Sequence, residues 1–256
     1  MKKTSKAKTI IFGICIFLSI VLRLLYCLDY QVQPRDAYVY AEQITRWEIE
    51  KKPPTEKTPL LSLYILKIPY HFWGYPILKG GIVMNMLLGI ALVLEIMLIT
   101  QNLFKNHICT LICGLFAATH PSLIHFSCQF LRENTYLVFS SAALYFIIRF
   151  FRSRKDYHLV LGIAFSILSY FCRHEGLELF AVFCIIILYI FWCKKDFVLL
   201  LKHSALTVVS AVATLFLVMF FLDMSPQNIY AFMNRYDEEI TGSRNTVERI
   251  RDFFDE

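Results

Sequence analysis

GIVMNMLLGIALVLEIMLITQNLF, residues Gly81 to Phe104, is apolar enough and long enough to cross a bilayer, and Glu95 is its one ionisable side chain. A transmembrane helix needs about 20 mostly apolar residues, within a range of ~17–25. Six other runs have the same character, near Thr9–Leu28, Ile108–Cys128, Phe130–Phe151, Tyr157–Cys172, Gly176–Cys193 and Phe197–Leu222. The third and fifth of the seven are the weakest matches, short or tilted. The pattern predicts an all-α, polytopic integral membrane protein with about seven transmembrane helices.

Composition agrees. The chain has 256 residues, 57% hydrophobic and 18% charged, with a mean hydropathy of +0.53. Soluble domains carry about 25% charge and roughly half apolar residues, and here the excess comes in blocks rather than as one large soluble core. The formal charge of +6 lies beside those blocks, so topology and anionic membrane lipids account for it, and no nucleic-acid partner is expected. The eight cysteines lie mostly in or beside apolar runs with no CxxC spacing. They read as small unpaired hydrophobes, with no metal site.

Lysine and arginine set the orientation. Lys2, Lys3, Lys6 and Lys8 precede the first run, Lys105 follows the second, Arg149, Arg152, Arg154 and Lys155 follow the fourth, and Lys194 and Lys195 follow the sixth. These ends alternate, which predicts a cytoplasmic N-terminus and an exterior C-terminus. The first run continues past Arg23 with no small-residue cleavage site after it, so it is expected to be an uncleaved helix rather than a signal peptide. Residues 1–222 then form the membrane domain, with 29–79 as a first exterior loop and 223–256 as a short exterior tail.

Within that loop, Lys51-Lys52-Pro53-Pro54 is a break. Tyr40, Ile44 and Trp47 form a stripe predicting a short helix over Asp36 to Glu48. The apolar stretch from Pro59 to Leu66 is expected to be an interfacial helix interrupted by Pro69, Trp73, Gly74 and Pro76.

The polar clusters that fall at the exterior ends are the candidate site. Asp36, beside Arg35 and near Tyr38, has the chemistry of a general base; a helix N-cap or a solvated acid is the structural alternative. His120-Pro121 ends the third run and Arg132-Glu133 begins the fourth, with Glu133, Tyr136 and Ser140 on one helix face. Glu133 also suits a helix N-terminus without any chemical role. Arg173-His174-Glu175 links the fifth and sixth runs, where Arg173 offers a donor fork for phosphate or simply pairs with Glu175. Glu95 lies inside a span and needs a partner, for which Arg149, Lys202 or His203 are the expected candidates.

Taken in order, Pro34-Arg35-Asp36-Ala37-Tyr38-Val39-Tyr40-Ala41, Pro59-Leu60, Asn85-Met86-Leu87-Leu88-Gly89, Thr119-His120-Pro121-Ser122-Leu123-Ile124, Leu131-Arg132-Glu133-Asn134-Thr135-Tyr136 and Tyr170-Phe171-Cys172-Arg173-His174-Glu175-Gly176-Leu177 resemble the GT-C superfamily of membrane glycosyltransferases, above all family 39, the protein mannosyltransferase-like enzymes. The resemblance covers roughly residues 9 to 195. It implies transfer of a sugar from a polyprenyl-phosphate donor to a lipid, glycan or protein acceptor at the exterior face of a bacterial inner membrane, with inversion. It implies Asp36 as the base and Arg132 and Arg173 at the lipid phosphate. Arg35, Tyr38, His120, Glu133, His174 and Glu175 complete the implied substrate-binding set. No cofactor is expected, and a divalent cation is possible without being indicated.

The chain departs from that family in Ala37, where many relatives carry Glu, in His174, where Pro is usual, and in stopping soon after the seventh run, where relatives continue. A partner subunit supplying further elements is one expectation. A non-catalytic scaffold in cell-envelope assembly, or a transporter or flippase, are the alternative readings.

Overall fold

The structure, a computed structural model, describes residues 2–29, 32–51 and 60–222. The Pro53-Pro54 break, Pro59 and the tail from 223 to 256 lie outside the described residues. Within them every element is an α-helix: α1 (Lys2–Asp29), α2 (Arg35–Glu50), α3 (Leu60–Trp73), α4 (Ile77–Phe104), α5 (His107–Thr119), α6 (Pro121–Ser127), α7 (Glu133–Ser153), α8 (Asp156–Cys172), α9 (Gly176–Lys194) and α10 (Phe197–Leu222).

Four stretches are long and apolar enough to cross a membrane: Lys8–Asp29 of α1, and α4, α7 and α10. The α5–α6 pair passes the same test only when its two helices are taken together, and it is bent by 55° at the His120–Pro121 junction. α8 and α9 are shorter apolar helices. The expected third run is therefore one bent unit. Pro121 starts α6 rather than turning the chain back, and the reversal falls instead at Cys128–Arg132, because proline is well accommodated in a helix's first turn.

The bend is stabilised from α1. Arg23 is fully buried, with Nη1 donating to Ser19 Oγ at 2.6 Å and to the Ala118 carbonyl at 3.5 Å, and Nε donating to Ser127 Oγ at 3.0 Å. Ala118 and Ser127 lie at the C-terminal ends of α5 and α6. One guanidinium thus meets a carbonyl in the last turn of α5, where a cation is favoured, and the hydroxyl of the last residue of α6. α4 lets the elements close in. A Cβ on Gly81 would lie 1.8 Å from the Phe130 ring, and one on Gly89 would lie 2.0 Å from Ser127 Oγ.

α2 and α3 cover one end of the bundle. The buried stripe of α2 is Ala37, Tyr40, Ile44 and Trp47, and it joins Leu60, Leu63 and Leu66 of α3 with Phe130, Phe171, Val218 and Leu222 in one apolar core. Pro69 sits inside α3, so the expected interruption there is absent, and the helix ends instead at Gly74, whose φ is +67°. A polar clamp fastens the two helices. Glu48 accepts from Lys67 at 3.1 Å, and the same Lys67 ammonium lies 3.9 Å from the centroid of Trp47.

At the opposite end, α4, α7 and α9 are each followed by a tight turn. All three turns carry a basic residue in the left-handed region, Lys105 (φ 52°), Arg154 (φ 53°) and Lys195 (φ 50°).

Candidate functional site

The end covered by α2 and α3 gathers most of the polar clusters singled out in the sequence. Asp36 stands in the first turn of α2, and Tyr40 follows one turn later on the buried face, 8% exposed. Burial pushes the Tyr40 phenol above its ordinary value. Asp36 and Glu133 push it the same way, while Arg132 and Arg173 pull it down. Tyr40 is thus the point at which charges from α2, from the start of α7 and from the α8–α9 turn meet.

Arg173 is the hub of the second half. Its Nε and Nη2 donate to Glu175 at 3.1 and 2.7 Å. Its Nη1 lies 3.8 Å from Glu133 Oε1, and its guanidinium sits 5.7 Å from the Tyr136 ring centroid. The hydrogen bond and charge of Glu175 raise the Arg173 pKa against its burial. Burial of the Glu175 carboxyl raises its own pKa, but the Arg173 bond, with the Arg173 and Arg132 charges, outweighs this and holds it below the usual range. Glu133 Oε2 is buried without a hydrogen-bond partner. Arg132, half-buried, makes no side-chain hydrogen bond or ion pair among the described residues. It is the cation with donors to offer.

The Arg132 turn is held from below. Asn85, fully buried in α4, donates through Nδ2 to the carbonyls of Gln129 at 2.6 Å and Leu131 at 2.8 Å. Gln33 donates to the Cys128 carbonyl at 3.1 Å and accepts from the Phe130 amide at 2.9 Å. Asn134 donates to the Asn85 carbonyl at 3.0 Å and to Ser127 Oγ at 3.2 Å.

Glu133, Arg173 and Glu175 are in direct contact, while Asp36 and Arg132 join them only as charges that act on Tyr40. Arg35 and Tyr38 are exposed on α2 away from its buried stripe, and Tyr38, 55% exposed, does not face Tyr40's neighbours. His120 lies at the α5–α6 bend with its ring against Phe116, apart from the cluster. His174 packs against Tyr170 in the α8–α9 turn. Tyr40 and Gln33 were missed as site residues. Tyr40 read as one member of an apolar stripe, and nothing in the sequence tied Gln33 to a turn 95 residues away. Glu95 takes Ser141 as its partner, which donates to Oε2. The expected partners are engaged elsewhere, Arg149 with Asn102 and both Lys202 and His203 with Asp156.

Two apolar grooves run between the helices. One, of about 710 Å3, runs between α8, α9 and α10 and begins at Tyr170, Phe171 and Leu177, close along the chain to Arg173. The other, of about 800 Å3, lies between α3, α8 and α10. No group of three or more His, Cys, Asp or Glu side chains is placed to hold a metal ion among the described residues. The seven cysteines whose side chains are described are all free. No protein-family model matches the chain, and no curated protein matches it.

Proposed function

We propose that the chain is a seven-span membrane glycosyltransferase. It moves a sugar from a polyprenyl-phosphate donor to an acceptor hydroxyl at the exterior face of a bacterial inner membrane, with its N-terminus in the cytoplasm. The five crossings allowed by length and composition, with α8 and α9 added, give the seven. The observation that carries the reading is the Arg173 cluster with Glu133 and Glu175 at one end of the bundle, with the Asp36 and Arg132 charges acting on the neighbouring Tyr40.

The chemistry follows from those residues. A single displacement needs a base for the acceptor hydroxyl and a stabiliser for the departing lipid phosphate. The Asp36 carboxylate takes the hydroxyl proton as the oxygen bonds to the anomeric carbon. The bond from that carbon to the phosphate oxygen breaks on the opposite face. Arg132, with its donors open, takes the developing charge on the phosphate. Arg173 contributes positive charge while Glu175 and Glu133 hold it in place, and the groove starting at Tyr170 suits an isoprenoid tail.

Purified membranes supplied with labelled polyprenyl-phosphate sugars test this. Transfer is expected to fall at least a hundredfold in Asp36→Asn, in keeping with the ~10²–10⁴ that positioned proton transfer contributes, and strongly in Arg132→Gln. Full activity in Asp36→Asn removes it as the base. The Arg173 donors already committed to Glu175 favour a second reading, a non-catalytic scaffold subunit. Absence of transfer by the wild-type protein across the donor panel would select that reading.

A further inference from the structure

The end of the bundle opposite α2 and α3 carries more positive charge than its own structure uses. Arg149 and Arg152, in the last turns of α7, reach across to the C-terminal end of α4. Arg149 Nη1 donates to Asn102 Oδ1 at 3.3 Å, and Arg152 Nη2 donates to the Leu103 carbonyl at 2.8 Å. Lys105 follows directly in the α4–α5 turn, and Arg154 and Lys155 form the α7–α8 turn. None of these five makes an ion pair among the described residues. The acids nearby are committed. Asp156 pairs with Lys202 at 2.5 Å and lies 3.5 Å from His203, and Asp196 accepts from the Leu199 amide.

One further observation points to a ligand. Arg149 Nε is buried with no hydrogen-bond partner.

Apolar side chains surround the cations. Leu103, Phe104, Ile108 and Tyr157 are all exposed within a turn or two of them. A ligand here must offer negative charge to the arginines and hydrocarbon to these side chains at once. We propose that Lys105, Arg149, Arg152, Arg154 and Lys155 form a binding site for the phosphodiester headgroup of an anionic phospholipid, whose acyl chains lie along α4, α5 and α8. The site stands independently of the glycosyltransferase reading, since it uses none of the same residues.

The full chain, purified in detergent, is titrated with phosphatidylglycerol, phosphatidylcholine or inorganic phosphate, and followed by native mass spectrometry and by its thermal midpoint. Phosphatidylglycerol is expected to remain bound and to raise the midpoint by several degrees more than phosphatidylcholine. A basic residue near an anionic lipid surface contributes roughly a factor of five in affinity, so Arg149→Gln/Arg152→Gln is expected to weaken phosphatidylglycerol binding about thirtyfold. The side chains of the exposed pair Arg154 and Lys155 make no hydrogen bond to a backbone carbonyl among the described residues, so Arg154→Gln/Lys155→Gln is expected to weaken binding in a protein that still folds. Equal effects of the two lipids, or unchanged phosphatidylglycerol binding in both double variants, would overturn the site. Stabilisation by inorganic phosphate equal to that by phosphatidylglycerol would overturn the lipid and leave a soluble anion.

Discussion

Asn85 and Gly89 show how two residues of one helix serve a site they do not enter. Asn85 holds the Gln129 and Leu131 carbonyls, and so the turn that presents Arg132. Replacing it with alanine leaves both carbonyls without that donor, at about 1–3 kcal/mol. Asn85→Ala is therefore expected to lower the unfolding midpoint in detergent and to reduce transfer through Arg132. Gly89 is set by space alone. A methyl there would lie 2.0 Å from Ser127 Oγ and 2.9 Å from Arg23 Nε. Gly89→Ala is expected to cost about 1–3 kcal/mol by overpacking, read as a fall in the same midpoint. The sequence marked both as parts of a motif without giving them roles. Their partners lie roughly forty residues away or more along the chain, and only the folded contacts name them.

At the scale of elements, α2 and α3 are held by a clamp that depends on pH. Burial of the Glu48 carboxyl raises its pKa, but the Lys67 hydrogen bond and charge, with Lys51 and His71, outweigh this and hold it below the ordinary 4.5. A carboxylate with a depressed folded pKa stabilises fully above its unfolded value, and that contribution is lost as pH falls through the folded one. Trp47, packed under Lys67, reports the change. Its fluorescence is expected to shift as pH drops below 4.5, and Glu48→Gln is expected to remove that transition. The α2 stripe was readable because Tyr40, Ile44 and Trp47 recur at helical spacing. α3 was less so. Pro69 read as a break, whereas packing against α4, α8 and α10 keeps the helix intact through it, tertiary contact outweighing local propensity.

For the molecule as a whole, the apolar runs gave most helix positions directly, because hydrocarbon admits backbone only where its hydrogen bonds are satisfied internally. The bend in the third run was harder to read. Pro121 announces a discontinuity, but the course of the chain beyond it depends on contacts from another helix, where Arg23 reaches the Ala118 carbonyl and the Ser127 hydroxyl. The three basic left-handed turns were visible only as charge. Lys195→Gly is expected to relieve backbone strain of about 1–2 kcal/mol, partly offset by the lost cation at the end of α9. The net result should be a modest rise in the unfolding midpoint.

The position of Arg23 also bears on how the protein is made. α1 leaves the ribosome well before α5 and α6, carrying an arginine inside its apolar span, where charge is costly. The groups that satisfy it from outside α1, Ala118 and Ser127, follow 95 and 104 residues later. At about 5–20 residues per second, α1 waits roughly 5–20 s for them, so it has reason to stay beside the insertion machinery until α5 and α6 emerge. Nascent chains arrested before residue 110 are expected to remain crosslinkable to the translocon through α1. Chains long enough to place Ser127 well outside the ribosome, or carrying Arg23→Leu, are expected to release it into lipid.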